Sequence, residues 1–271
     1  MKLRDKVVFI TDADSASGQA IVERLCAEGA RFVLNSASGG SAVAGLLDKL
    51  GLAEPRAVVT GANLRSSAEV VPLLERMERQ VGAIDVLIVN DDALLPASVE
   101  HCEEPVFLEL LEANAKTAFV CAQAVGKQMA ERQSGSIIFV NSIHADKPTG
   151  FSFAYSAAKG AVHNLAREAS VYLGRYGIRV NTIEMGPVEG DDERFGSDLT
   201  SLYQFYQHKV PSTVLGTYED LANVALFLAT DEAKYINGAD IRVDGGFLRH
   251  YMDVKMKLPL FEAAEPGGQP S

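Results

Sequence analysis

A tyrosine and a lysine four positions apart could together move a proton. Tyr155 and Lys159 lie in a segment with helical hydrophobic spacing, and residues four positions apart share one face of a helix. A phenol has an unperturbed pKa of about 10, which is poorly matched to proton transfer near neutral pH, and a nearby ammonium favours its ionised form. The pair therefore predicts a tyrosine acid or base that is supported by a lysine.

A serine stands at a suitable distance before this pair. Ser142 precedes Tyr155 by thirteen residues and follows directly after an apolar run that predicts a buried strand. In an open parallel sheet, ligands bind beyond the carboxyl ends of the strands. The hydroxyl of Ser142 could hydrogen-bond and orient the oxygen of a substrate there.

Short apolar runs rich in β-branched residues alternate with longer helical segments along the chain. This alternation predicts repeated βαβ units, and strands that are apolar throughout are typical of a sheet covered on both sides. We therefore predict an α/β fold, a single Rossmann-like doubly wound parallel sheet of about seven strands with helices on both faces. The predicted strands are 6–11, 31–35, 56–60, 86–89, 136–141, 179–184 and 241–243, and the predicted helices are 18–28, 40–49, 68–80, 106–132, 155–176 and 218–229.

The order and spacing of these motifs resemble the short-chain dehydrogenase/reductase superfamily. The resemblance extends over residues 6–247. The motifs that carry it are Asn114, Ser142, the run 155–159, and the runs 85–90, 179–183 and 243–246. It implies an NAD(P)-dependent oxidoreductase that interconverts a secondary alcohol and a ketone by hydride transfer. It also implies a catalytic set in which Asn114 holds a water between the lysine and solvent: Asn114, Ser142, Tyr155 and Lys159.

The first strand-to-helix turn departs from the family's pattern. The family has Thr-Gly-x-x-x-Gly-x-Gly, whose glycines let the backbone approach a pyrophosphate. This chain has TDADSASG, with Asp12 and Ala16 at the first two glycine positions, and only Gly18 remains. The carboxylate of Asp12 would occupy the space that the diphosphate needs, or would repel the diphosphate by its charge. Asp91 and Asp92 follow the fourth strand and add two more carboxylates beside the expected groove.

The resemblance also implies which residues bind the dinucleotide. The second strand ends in Asn35-Ser36, with neither an acidic residue for the adenosine ribose nor an arginine for a 2′-phosphate. Asp14 disfavours a 2′-phosphate, whereas Asn35 and Ser36 would tolerate one. The resemblance therefore implies NAD(H) or NADP(H), with NAD(H) favoured if a dinucleotide binds. The implied cofactor-binding residues are Thr11, Asp14, Ser15, Ser17, Gly18, Asn35, Ser36, Asn63, Leu64, Asn90, Tyr155, Lys159, Gly186 and Val188.

Two alternative hypotheses also fit the altered turn, and neither needs a bound dinucleotide. In the first, the chain is a non-catalytic subunit that packs against an active partner in a hetero-oligomer. In the second, it is a cofactor-independent lyase of the halohydrin dehalogenase type, which keeps Ser142 and Tyr155 for acid/base work. Those relatives also carry an Asn-Asp after the fourth strand, as Asn90-Asp91 does here, but they have an arginine where Lys159 stands.

Composition and charge restrict the partners. The chain has 271 residues, of which 47% are hydrophobic and 23% charged, as in globular proteins. The net charge of −11 disfavours nucleic acid and anionic membranes. With neither a signal peptide nor an apolar run near the ~20 residues of a membrane span, we expect a cytoplasmic protein. Three cysteines without CxxC spacing and five scattered histidines predict neither disulfides nor a metal site.

The remaining segments predict how the site is covered and how chains associate. We assign residues 1–250 to one domain with a substrate lid at about 188–211, whose aromatic residues suit an apolar or aromatic substrate, and 251–271 to a C-terminal extension with a flexible end. Small residues on the segments 106–132 and 155–176 favour a homodimer or homotetramer, or association with a different subunit. We interpret His144, in the loop after Ser142, as a solvated histidine.

Overall fold

The computed structural model describes residues 1–191 and 209–250 of the chain. Its sheet has seven parallel strands, as the alternation of apolar and helical segments predicts. The strands are β1 (Val7–Ile10), β2 (Arg31–Asn35), β3 (Ala57–Thr60), β4 (Val86–Val89), β5 (Gly135–Ser142), β6 (Ile178–Met185) and β7 (Asp240–Val243). Their spatial order is β3-β2-β1-β4-β5-β6-β7. The order reverses between β1 and β4, where sheets of this kind bind ligands.

Helices cover both faces of the sheet, which confirms the doubly wound arrangement. The helices of the described residues are α1 (Ala16–Cys26), α2 (Ala44–Leu50), α3 (Ser67–Gln80), α4 (Glu104–Leu110), α5 (Thr117–Arg132), α6 (Phe153–Gly174) and α7 (Tyr218–Ala229). One buried apolar cluster joins the sheet to α3, α5 and α6, and a second joins the opposite face to α1, α2 and α7. The strands are therefore buried on both sides, which explains their continuous apolar sequences.

The predicted helix 106–132 is wrong as a single regular helix. A turn of π-helix, Leu111–Lys116, separates α4 from α5. Within it, Asn114 Nδ2 donates to the carbonyl of Leu110 at 2.9 Å, and Thr117 Oγ1 donates to the carbonyl of Glu112 at 3.3 Å. Side chains that bond backbone carbonyls in this way help widen a helical turn, and π-turns are frequent at functional sites. The wide turn carries Asn114 into the interior.

Two predicted helix boundaries also need correction. The first helix begins at Ala16 rather than at 18, because Ser15 acts as its N-cap and accepts the backbone N–H of Gly18 at 3.1 Å. The predicted helix 40–49 begins only at Ala44. Gly39 and Gly40 hold φ angles of 67° and 96°, so this stretch forms turns instead of helix.

Part of the sequence interpretation falls outside the described residues. Residues 192–208, which form most of the predicted lid, and residues 251–271, the predicted extension, are not among them. The division into a domain and an extension therefore stays a prediction. The three cysteines are free, and within 1–191 and 209–250 no helix combines the length and apolar character needed to cross a bilayer.

Candidate active site

A cavity of about 260 Å³ opens at the carboxyl edge of the sheet, where β1, β4, β5 and β6 end. It lies at the switch point of the strand order, as expected for a ligand site. Seven of the sixteen predicted site residues line it together, although they come from distant parts of the sequence. These residues are Ser15, Ser17, Asn90, Ser142, Tyr155, Gly186 and Val188.

Tyr155 and Lys159 lie on the buried face of α6, and each is only 1% exposed. Tyr155 donates its hydroxyl proton to Asp92 Oδ1 at 2.6 Å. Lys159 Nζ lies 2.9 Å from the same carboxylate oxygen and donates to the backbone carbonyl of Asp91 at 2.9 Å. A carboxylate oxygen therefore joins the two groups, and support of the phenol by the ammonium stays a prediction.

Asp92 is the residue that sequence reasoning did not connect to the catalytic pair. The sequence indicated a carboxylate beside the groove, but not one in contact with Tyr155. Asp92 follows β4 by three residues and projects into the same cavity, with 28% of its side chain exposed. The one signal in the sequence was that Asp92 stands at a position where the family has glycine. A side chain at that position projects into the groove and contacts the residues on its other side.

Ser142 ends β5 and faces the cavity beside His144. The Oγ of Ser142 and Nδ1 of His144 are 2.9 Å apart, and the backbone N–H of His144 donates to the same Oγ at 3.2 Å. The interpretation of His144 as a solvated loop residue is wrong, because it is only 5% exposed. Its ring packs edge-on against Tyr155 with 5.5 Å between centroids. The short helix after β5 turns the histidine inward.

Asn114 lies behind this cavity, on the π-turn. Its Nδ2 donates to the carbonyls of Ala93 and Leu110, at 3.0 and 2.9 Å. Its Oδ1 is buried and receives no hydrogen bond from the described residues. A buried carbonyl oxygen of this kind suits contact with an ordered water, so its predicted role in holding a water stays a proposal that the geometry allows.

The first turn is held together by its own polar groups. Asp12 Oδ1 accepts the backbone N–H groups of Asp14 and Ser15 at 3.2 and 3.3 Å. Burial raises the pKa of Asp12, although these two amide bonds lower it. The side chain of Asn90 stabilises the turn by two hydrogen bonds to Asp12. Its Nδ2 donates to the carbonyl of Asp12 at 2.7 Å, and its Oδ1 accepts the backbone N–H of Asp12 at 3.0 Å. A Cβ on Gly18 would lie 2.0 Å from that carbonyl oxygen, so this position requires glycine.

The second carboxylate of the first turn reaches the end of β2. Asp14 accepts the hydroxyl of Ser36 at 2.6 Å and the backbone N–H of Ser38 at 2.8 Å. The structure thus brings together Asp14 and Ser36, which the sequence assigned separately to cofactor binding. A carboxylate at the end of the second strand favours ribose hydroxyls and repels a 2′-phosphate.

Three other predicted cofactor residues have structural contacts within the chain, two through hydrogen bonds to the backbone and one through burial in the core. Asn35 donates from Nδ2 to the carbonyl of Thr11 and accepts the N–H of Ala62. Asn63 accepts the N–H of Arg65 within an exposed loop. Leu64 is buried in the core. Their contact with a cofactor is therefore still a prediction.

The side chain of Asp91 bonds to Thr11, whereas that of Asp92 bonds to Tyr155. Asp91 Oδ2 accepts the hydroxyl of Thr11 at 2.5 Å. The pKa of Asp91 is raised to about 6, because the effects of burial and of the neighbouring charge of Asp12 outweigh the lowering by the Thr11 hydrogen bond. The hydroxyl of Thr11 also accepts the N–H of Asn90 at 3.0 Å, so these residues tie β1 to β4.

The groove has two close backbone approaches at glycines and carries several negative charges. Gly18 keeps the first turn close to α1, and a Cβ on Gly186 would lie 2.5 Å from Asp244 Cα, so both turns must have glycine where they border the groove. Three carboxylates line the cavity, whereas no lysine or arginine is among its described lining residues. These carboxylates disfavour a bound diphosphate. The carboxylates are Asp12, Asp92 and Asp191.

A second polar cluster lies below the cavity, between α6, β6 and β7. The ligand atoms of Asp146, His163 and Glu184 lie within 4.8 Å of one another, a spacing that a metal ion could use. The guanidinium of Arg242 lies 3.1 Å from Asp146 Oδ2 and 3.5 Å from Glu184 Oε2. The cluster therefore already contains a cation between two of its carboxylates.

Comparison with known proteins identifies the family. A family model described as Enoyl-(Acyl carrier protein) reductase matches residues 13–248, which is most of the chain. The chain belongs to the short-chain dehydrogenase/reductase superfamily. This membership confirms the resemblance found in the sequence motifs. The family match begins in the altered first turn and ends five residues after β7.

Named relatives of this dehydrogenase/reductase are oxidoreductases. The 3-oxoacyl-acyl-carrier-protein reductase FabG of Escherichia coli (strain K12) is 28% identical over 246 residues, which are 91% of this chain and 98% of the relative. The L-rhamnose 1-dehydrogenase (NAD(P)(+)) of Azotobacter vinelandii is 29% identical over 252 residues, 91% of this chain and 98% of the relative. The crystal structure of levodione reductase superimposes with a TM-score of 0.83 at 26% identity, covering 92% of this chain and 100% of that one. The chain is thus an oxidoreductase of a superfamily whose members use NAD(P)(H).

Proposed function

We propose that this enzyme interconverts a secondary alcohol and a ketone by hydride transfer. The observation that carries the proposal is that Ser142 and Tyr155 line one cavity at the switch point of the sheet, with Lys159 one helical turn behind. Two hydroxyl groups facing one space can bind a single substrate oxygen from two directions.

Each side chain of the proposed catalytic set has a different role toward the substrate oxygen. Ser142 orients it, with its own Oγ fixed by His144 at 2.9 Å. Tyr155 exchanges a proton with it, donating in the direction of ketone reduction and accepting in the direction of alcohol oxidation. Lys159 supplies positive charge to the carboxylate and phenol beside it. We assign to Asn114, whose Oδ1 is buried without a described partner, a bridging water behind the lysine.

We assign the cofactor to the groove above α1 and prefer NAD(H) to NADP(H). The nicotinamide, when bound, exchanges the hydride with the substrate carbon. The groups that would hold the cofactor are the helix start at Ser15 and Ser17 and the carboxylate of Asp14 beside Ser36. The preference rests on Asp14, because its bonds to Ser36 and Ser38 at 2.6 and 2.8 Å hold a negative charge where a 2′-phosphate would bind.

The substrate that suits this cavity is apolar or aromatic. Apolar side chains from β5, β6 and α7 form much of its wall beside the serine and tyrosine. A hydrophobic wall with a few convergent polar groups is typical of small-molecule sites. The apolar lining residues are Val140, Ile143, Met185, Pro187, Val188 and Leu221.

We further propose that the enzyme is a homodimer or homotetramer. Helices α5 and α6 form an apolar groove of about 750 Å³ on the molecular surface. Phe119 and Tyr172 on its walls are 45% and 57% exposed. Contiguous apolar surface of this kind marks protein contacts.

Binding of NADH and NADPH tests this function. Titration followed by nucleotide fluorescence should give binding of both, with NADH the tighter ligand. With a responsive secondary alcohol, Tyr155→Phe should lower turnover by about 10²–10⁴-fold, as loss of a general acid or base does, in a variant that still binds nucleotide. Absence of nucleotide binding at millimolar concentration would overturn the oxidoreductase and favour the two cofactor-free alternatives.

A further inference from the structure

One carboxylate oxygen serves both members of the catalytic pair. Asp92 Oδ1 accepts the phenolic proton of Tyr155 at 2.6 Å and lies 2.9 Å from the ammonium of Lys159. A third contact fixes the lysine, because Nζ also donates to the backbone carbonyl of Asp91 at 2.9 Å. The carboxylate is therefore anchored beside the phenol.

The direction of this hydrogen bond restricts what Tyr155 can do. A phenol has one proton to donate, and that proton is directed to Asp92. Toward a substrate, the hydroxyl then acts as an acceptor. An acceptor fits an alcohol, which brings a proton, whereas a ketone oxygen needs a donor.

We propose that Asp92 is the proton acceptor of the site and that it works with Tyr155 in alcohol oxidation. The proposal rests on the proposed function. The proton of the substrate hydroxyl passes to Tyr155 Oη while the phenolic proton passes to Asp92 Oδ1. The carbon–hydrogen bond of the alcohol breaks with its electron pair, which leaves as hydride to the oxidised nicotinamide, and the carbonyl double bond forms.

The surroundings of Asp92 allow it to receive and release this proton. The ion pair with Lys159 at 2.9 Å holds the carboxylate in place. With 28% of its side chain exposed, Asp92 can return the proton to water. Among residues 1–191 and 209–250, the other titratable groups near it or Tyr155 lie on the first turn, after β4, after β5 and after β6, and they are Asp12, Asp91, His144 and Asp191.

Ionisation of Tyr155 gives a readout that needs no substrate. The phenolate absorbance of Tyr155 is isolated by subtracting the spectrum of Tyr155→Phe at each pH, and the same subtraction is made within Asp92→Asn. Without the carboxylate charge, the phenolate should appear at a pH lower by about one unit or more, which corresponds to about 1.4 kcal/mol. Asp91→Asn is the matched control, since Asp91 bonds Thr11 rather than Tyr155, and its titration should shift less.

The rate profile then tests the role in the reaction. With NAD⁺ and 1-phenylethanol as probe, the oxidation rate of Asp92→Asn near neutral pH should be about 10²-fold below that of the wild type. The rate of this variant should recover at alkaline pH, where Tyr155 ionises. Asp92→Glu, which keeps a carboxylate, should partly restore the rate near neutral pH.

Coincident phenolate titrations in wild type and Asp92→Asn would overturn the proposal, as would an unchanged rate profile in a variant that still binds NAD⁺. Failure of the wild type to bind any dinucleotide would instead overturn the proposed function and the relay with it.

Discussion

Asp12 is the side chain that most directly opposes an anionic cofactor, because it lines the cavity at the start of the groove. Its carboxylate also accepts two amide protons of the turn, so charge and loop geometry must be separated. Asp12→Asn removes the charge and retains an acceptor, whereas Asp12→Gly restores the family's residue. We expect both to tighten NADH binding by about 5- to 50-fold, or 1–2 kcal/mol, in fluorescence titrations. Tightening only in Asp12→Gly would assign the effect to loop shape instead.

Asp91 makes stability depend on pH. Its pKa is raised by burial to about 6, so between about pH 4 and about pH 6 the folded chain binds a proton that the unfolded chain has lost. The free energy of unfolding therefore falls as pH rises through this window. Asp91→Asn should be more stable than wild type by about 1–3 kcal/mol above pH 7, and the gain should disappear near pH 4. Urea unfolding above pH 7 and near pH 4 measures the free energy of unfolding of the wild type and of Asp91→Asn. Asp48→Asn, at an exposed position, is the control, and its difference from the wild type should not change with pH in this way.

The residues of the site differ in how far the sequence could predict them. Ser142, Tyr155 and Lys159 follow from spacing, because four residues make a helical turn and a strand end fixes the serine. Asp92 was visible only as a carboxylate after β4. Its contact with Tyr155 is between residues 63 positions apart. Which rotamer reaches across the groove depends on how α6 packs against the sheet, through β5 and β6, and not on local sequence pattern.

At the scale of elements, α1 must lie very close to the first turn. A Cβ on Gly18 would lie 2.0 Å from the carbonyl oxygen of Asp12. Gly18→Ala should therefore destabilise the chain by about 1–3 kcal/mol, by forcing α1 away from β1. Gly45, also helical, has nothing within 4 Å of an added Cβ. Gly45→Ala should stabilise α2 by about 0.5–1 kcal/mol. Thermal unfolding compares the two, and equal effects would refute the close approach.

The strands and most helices could be predicted, since buried parallel strands have continuous apolar sequences and helices show their own period. The π-turn at Leu111–Lys116 could not. It depends on Asn114 bonding the carbonyls of Leu110 and Ala93, and the second of these belongs to the loop after β4. A side chain that bonds both its own helix and a distant loop leaves no periodic signal.

At the scale of the whole molecule, the negative charge of the chain and of its cavity opposes binding of the expected ligand, a dinucleotide that is also negatively charged. The chain carries −11 overall, and the carboxylates of its cavity add to a field that repels dinucleotides. Screening by salt should reduce that repulsion. We therefore expect NADH affinity to rise by a few-fold as ionic strength increases from about 0.01 to 0.15 M. Affinity that falls with salt would point to cationic groups at the groove.

The apolar groove between α5 and α6 should hold a second copy of the chain. Phe119 and Tyr172 stand on its walls, with 45% and 57% of their surfaces exposed, and a charge placed there would be buried without a partner in a paired state. Phe119→Glu should convert the assembly to monomers, or weaken it by at least about 10-fold, when mass is measured by light scattering.

Tyr235, which is 99% exposed and lies outside the groove, provides the matched substitution. Tyr235→Glu should leave the mass unchanged. If Phe119→Glu retains the wild-type mass at low micromolar concentration, the chains associate through another face or through none, because a buried unpaired carboxylate would cost more than such a contact could offset.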